Sequence, residues 1–208
     1  MTARFVNVNG SVRFPAFVVF AVCLSFGCSV YKGTAKSAEP TALAREGDWT
    51  MVPNFPLVRQ VDDDDCGGAA LASVLRFWGH SATPESVEAA IGRKDRHLSA
   101  GDMADHARSK GLRAYVIYGT MDDVLHELES GRPVIVGLGK QIVTGKVLAH
   151  YEVVVGYERR KQELLLLDPG SGWQIDSVKG FATEWARSGG VTIVTFLPAE
   201  GATVSTNP

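Results

Sequence analysis

From Arg113 to Leu197 the chain alternates short apolar runs with turn signals, and this pattern constrains the fold more than any other feature. Arg113–Tyr118, Val134–Leu138, Tyr151–Tyr157, Leu164–Leu167 and Val191–Leu197 are rich in Val, Leu, Ile and aromatics, the composition of strands. Met121–Ser130 and Phe181–Arg187 have helical spacing instead, and Gly131-Arg132-Pro133 reads as a turn. Upstream the apolar period is helical. Ala69, Ala70, Leu71, Val74, Leu75 and Trp78 share a face over Gly68–Trp78, and Gly79 stops the helix. Thr83 caps a short helix that runs from Pro84 to about Ile91, and Ser99 caps another through Lys110, closed by Gly111. Helices first and strands afterwards imply an α+β domain, with helices packed on an antiparallel sheet.

The flanks read differently. Arg4 and Arg13 precede the apolar run Phe14–Phe26, and Gly27-Cys28-Ser29 follows it, the layout of a secretory signal. The run is too short for a bilayer span, which takes ~20 apolar residues. Leu24-Ser25-Phe26-Gly27-Cys28 resembles a bacterial lipobox, although Ser25 stands where leucine is usual. Cys28 is then the expected lipidation site, with ordinary signal cleavage nearby as the alternative. The expected organisation is a signal peptide at 1–27, a tether at 28–52, the folded domain at 53–198 and a flexible tail at 199–208. Residues 31–51 show no sustained period, and Pro53 and Pro56 keep Val52–Gln60 extended. Gly139 to Lys146 imitates a phosphate loop. Its glycines are one residue too far apart and Val147 replaces the required Ser or Thr, so it reads as a glycine-hinged loop.

The 208 residues include three cysteines. If Cys23 leaves with the signal and Cys28 carries lipid, Cys66 is the one thiol of the folded body. That count leaves no internal disulfide and no cysteine-rich zinc site. A formal net charge of −2 without a basic stripe gives no case for a nucleic-acid partner. Cys66 stands at the start of a helix, where backbone amides and the helix dipole favour negative charge. Gly67 and Gly68 leave those amides open to a substrate carbonyl. The run Asp62–Asp65 reads as a solvated loop, with selection of basic substrates or loose calcium binding as the alternatives.

A nucleophilic thiol needs a proton partner, and histidine is the natural one. His80, His97, His106 and His126 read as solvated surface. His150 opens an apolar strand, where it serves equally as a structural residue or as a base. Asp168, at the end of Leu164–Leu167 and before Pro169-Gly170, is a turn residue or the acid that orients His150. Gln60 would donate to an oxyanion together with the Cys66 amide. Singly these signals say little; in the order Gln, Cys, His, Asp they reinforce one another.

At these residues the chain resembles the bacterial C39, or double-glycine leader peptidase, family. Gln60 to Leu75, with Cys66-Gly67-Gly68 inside it, resembles the family's Gln-to-Cys-Gly segment. His150-Tyr151-Glu152-Val153-Val154-Val155-Gly156-Tyr157 resembles its His strand, Leu166-Leu167-Asp168-Pro169-Gly170 its Asp-Pro motif, and Phe181–Trp185 a common C-terminal element. The resemblance implies a papain-like cysteine peptidase fold over roughly Pro53 to Pro198. It implies catalytic roles for Cys66, His150, Asp168 and Gln60, a thioester intermediate, and neither metal nor organic cofactor. It implies a peptide or protein substrate, cut after Gly-Gly by many members, and an association with transport or secretion machinery. Here, however, no transporter helices or nucleotide motif accompany the domain. The export signal suggests the periplasmic side of a bacterial envelope, anchored by lipid in the outer membrane. An acyl transferase on the same fold and a silent peptide-binding module are the other readings.

Overall fold

The computed structural model describes residues 31–62, 64–92 and 97–199. The expected signal peptide, Cys23, Cys28, Ser29 and nearly all of the expected tail lie outside them. The elements run β1 (Lys36–Ser37), α1 (Pro40–Leu43), β2 (Trp49–Met51), α2 (Cys66–Phe77), α3 (Pro84–Ile91), α4 (Ala100–Ser109), β3 (Arg113–Tyr118), α5 (Met121–Glu129), β4 (Val134–Gln141), β5 (Val147–Glu158), β6 (Glu163–Asp168), β7 (Gly172–Ser177), α6 (Val178–Ala186) and β8 (Val191–Phe196).

One eight-stranded sheet has the order β1-β7-β6-β5-β4-β8-β3, with β2 paired to β5. Every pairing is antiparallel. The fold is thus α+β, with helices on an antiparallel sheet.

Local chemistry explains the helix starts. Thr83, Ser99 and Thr120 each accept from the backbone N–H three residues on, while Ser86, Asp102 and Asp123 return a bond to the cap. Gly92 has left-handed φ (76°) at the end of α3, as does Gly111 (86°) just past α4; both are positions that favour glycine. In α2 every residue from Gly67 to Leu75 is buried, so this helix forms the centre of the core and packs on α3, α4, β5 and β6.

Three expectations need correction. Residues 31–52 are not a bare tether. Lys36–Ser37 pairs with β7, Trp49–Met51 pairs with Gly156–Glu158 of β5, and Leu43 and Val52 are buried. Strands of two and three residues carry no readable period, because a long-range partner fixes them. Gly139 to Gln141 belong to β4 rather than to a loop, since they pair with Val147–Ala149 across a hairpin. His106 is buried with Met103 and Ala107 on the inner face of α4. Burial, and then the Lys110 charge, lowers its pKa.

Candidate active site

Cys66 is the first residue of α2 and is half-buried. The chain enters through Asp65, which is buried: its Oδ2 accepts from the Asp62 N–H at 3.1 Å, and its carbonyl accepts from the Ala69 N–H at 2.9 Å. The acidic run is therefore not wholly solvated, because its last member closes the turn that starts the helix.

Strand pairing brings the other groups together. His150 lies opposite Leu138, Glu152 opposite Val136, and Leu148 opposite Lys140. Side chains alternate along a strand, so Lys140, His150 and Glu152 point to one face. Asp168, the last residue of β6, arrives beside them.

The His150 Nε2–H donates to Asp168 Oδ1 at 3.0 Å, and Cys66 lines the same cleft as the imidazole. Asp168 Oδ1 also accepts from the backbone N–H groups of Gly170 (2.8 Å) and Ser171 (3.2 Å). Its Oδ2 accepts from Lys140 Nζ at 3.0 Å. Lys140 contacts Glu152 Oε1 as well, and Glu152 Oε1 lies 3.9 Å from His150 Nε2. The Lys140 ammonium sits 4.9 Å from the centroid of the Tyr31 ring, whose hydroxyl donates to Glu184 Oε1 at 2.7 Å.

These charges are removed from water, Glu152 being 2% exposed and Asp168 5%, so they act chiefly on one another. Burial would lower the His150 pKa, but the interactions with Asp168 and Cys66 and the charges of Glu152 and Asp168 outweigh it and push it up to about 10. For Asp168, burial acts upward and is overcome by the His150 and Lys140 interactions, which hold the carboxyl far below its ordinary range. The Lys140 ammonium, opposed by burial, is held cationic by Glu152 and Asp168. Glu152 stays above its ordinary range because full burial exceeds the opposing pull of Lys140.

Ligand-type atoms of His150, Glu152 and Asp168 fall within 4.8 Å of one another, close enough to hold a metal ion. The place of a cation between the two carboxylates is already taken by Lys140.

Two clefts meet at His150. One, about 500 Å³, is lined by Asp64, Cys66, His97, Lys146, Leu148 and His150. The other, about 450 Å³, is lined by Tyr31, Gln60, Leu148, His150, Asp168 and Gln174. Lys140, Leu148 and His150 line both. A separate cavity of about 520 Å³, walled by Pro40, Phe55 and Trp173 among others, is lined by neither cysteine nor histidine.

Gln60 is tied to the Asp168 turn: its N–H donates to the Pro169 carbonyl at 3.1 Å, and the neighbouring Arg59 donates to the Gly170 carbonyl at 2.7 Å. The buried Gln60 Oε1 has no hydrogen-bond partner among the described residues. The structure thus joins His150 to Asp168 by a hydrogen bond, sets Cys66 in one cleft with His150, and sets Gln60 in the adjoining cleft with His150 and Asp168. Cys28 lies outside the described residues. Sequence reasoning missed Lys140, Glu152 and Tyr31. The available signal was a charged residue in phase with the core-facing positions of an apolar strand, which holds for both Lys140 and Glu152.

A model of the Peptidase_C39 like family matches residues 52–193. No curated protein matches the chain. Among solved structures, the chain is similar to the peptidase domain of Streptococcus ComA, a bi-functional ABC transporter involved in a quorum-sensing pathway. The two are 26% identical with a TM-score of 0.58, over 70% of this chain and 100% of that one. A double glycine motif protease from an AMS/PCAT transporter, solved with the leader peptide, is 21% identical with a TM-score of 0.54 over 67% of this chain and 89% of that one. A structure described as a C39-like peptidase from Bacillus anthracis is 15% identical with a TM-score of 0.58 over 73% and 99%. These last two show likeness of fold alone.

Proposed function

The chain belongs to the Peptidase_C39 like family, and from that premise we propose that it is a cysteine peptidase with Cys66 as nucleophile, His150 as acid and base, and Asp168 orienting His150. One observation carries the reading: the imidazole held by Asp168 at 3.0 Å lines the same cleft as the Cys66 thiol at the start of α2.

In the proposed reaction the Cys66 thiolate adds to a peptide carbonyl, and the oxyanion takes hydrogen bonds from the Cys66 N–H and the Gln60 amide. The C–N bond breaks as the His150 imidazolium gives its proton to the leaving amine, which leaves a thioester on Cys66. Water then adds, His150 takes its proton, and the C–S bond breaks to release the acid. Asp168 remains ionised throughout and holds the Nε2–H. The substrate is a peptide or the leader segment of a longer chain, with a cut after Gly-Gly as the first sequence to test. On the sequence layout alone, we further propose export, lipidation at Cys28 and an envelope location beside secretion machinery. Mass spectrometry of the mature N-terminus checks this: a lipid adduct on Cys28 supports it and an unmodified N-terminus refutes it.

The central test is an activity-based thiol probe together with a peptide library. Cys66 is expected to label, His150→Ala to suppress labelling, and Cys66→Ser to abolish both labelling and cleavage. Gln60→Ala is expected to label normally with an alkylating probe, which builds no oxyanion, yet to cut peptides about a hundredfold more slowly. Labelling indifferent to His150 would remove the catalytic pair. Amide products without cleavage would favour a transferase, and binding without turnover a peptide-binding module.

A further inference from the structure

We propose that Lys140 is a positioning residue of this centre: its ammonium fixes the Asp168 carboxylate against His150 and cancels the charge of Glu152, so the imidazole answers to one net negative charge rather than two. The proposal rests on the triad reading above.

The argument begins with the two oxygens of Asp168. Oδ1 is shared by His150 and the Gly170 and Ser171 amides, whereas Oδ2 accepts from Lys140. The turn amides fix one oxygen, and Lys140 fixes the plane of the carboxylate. Glu152 is the second element. Its Oε1 stands 3.9 Å from the same Nε2 that Asp168 holds, so an uncompensated Glu152 would compete for that N–H. Lys140 contacts this oxygen. The ammonium is itself confined: its side chain is 12% exposed, and the Tyr31 ring, whose hydroxyl donates to Glu184, lies 4.9 Å from it.

The charge count supports the same role. The groups facing the imidazole are Asp168 from β6, Glu152 from β5, Lys140 from β4 and Cys66 from α2. Asp64, His97 and Lys146 line the outer cleft. Behind Lys140, the acids Asp176 and Glu184 feel its charge. A neutral residue at 140 would leave Asp168, Glu152 and a thiolate around one imidazolium.

The test follows the His150 ring by NMR in the full chain carrying ¹⁵N-histidine, with the signal assigned by its loss in His150→Ala. We expect Lys140→Met to raise the His150 midpoint and Glu152→Gln to lower it, each by about one pH unit, a tenfold change in proton affinity. The double variant, which removes the pair as a neutral whole, should return close to the wild-type midpoint. Lys140→Met should also slow probe labelling of Cys66 about tenfold. If Lys140→Met fails to fold, Glu152→Gln and the double variant decide by the same midpoints. Midpoints unmoved in the single variants would make Lys140–Glu152 a mere structural ion pair and overturn the proposal, as would wild-type labelling by folded Lys140→Met. Midpoints that move as stated in a protein whose Cys66 takes no probe would uphold the charge coupling and sink the peptidase reading instead.

Discussion

At Asp168 both oxygens serve different masters, and this makes Asp168→Asn an informative substitution. An asparagine oxygen can still accept from the Gly170 and Ser171 amides, but its NH₂ then faces Lys140, donor against donor. Loss of the charge removes one of the interactions that hold the His150 pKa near 10 against burial. The pH at which labelling loses its imidazolium should therefore fall from about 10 toward the ordinary 6.5, visible as an early alkaline limb in the pH–rate profile. The linkage to stability has a definite sign. A histidine raised in the folded state contributes fully below 6.5 and loses that contribution as pH rises through about 10. Asp168, depressed in the folded state, contributes above its unfolded value of 3.8 and loses this as pH falls through its lower folded value. Thermal melts from pH 6 to 11 should show wild type losing an advantage over Asp168→Asn as the pH climbs, and a constant gap would contradict the assignment.

Among the elements, β5 carries the most. Its N-terminal part pairs with β4 and presents His150 and Glu152; further along, the register shifts between Val154 and Gly156, and Gly156–Glu158 take up β2. A Cβ at Gly156 would stand 3.0 Å from the Thr50 carbonyl oxygen and 3.1 Å from Met51 Cγ. Because the nearest atom is backbone, it cannot rotate away. Gly156→Ala should cost about 1–3 kcal/mol in denaturant unfolding, despite the general gain from replacing a strand glycine. An unchanged or raised midpoint would mean that β2 is loosely held. This element also marks the limit of what sequence could tell. Gln60, Cys66, His150 and Asp168 stood out only through their order and the family resemblance. The helix caps at Thr83 and Ser99 and the long strands were legible because each rests on local chemistry or an apolar period. β7 was not, since Gly172-Trp173-Gln174-Ile175-Asp176-Ser177 alternates with polar inward residues that only a buried network can satisfy. Lys140 was hidden for the same reason: its partners Asp168, Glu152 and Tyr31 come from three separate places in the chain.

At the scale of the whole molecule, the question is where the working unit begins. The family match starts at residue 52, which leaves β1, α1 and β2 upstream of it. Yet Tyr31 closes over Lys140, Thr34 hydrogen-bonds the buried Asp176, and Ala38 donates to the Trp173 carbonyl, so this segment crosses from the β4–β5 hairpin to the β7 edge. A chain that starts at Pro53 would lose those contacts together with buried Leu43 and Val52, each worth about 1.5–3 kcal/mol by apolar burial. Such losses consume a large part of a typical domain stability of roughly 5–15 kcal/mol. Compared with a chain starting at Tyr31, it should melt at a clearly lower temperature. Below that temperature it should still label Cys66 more slowly, because Lys140 is then free to turn toward water. The second effect separates a segment that shapes the active site from one that merely adds stability. Equal melting and equal labelling would return residues 31–52 to the status of a tether.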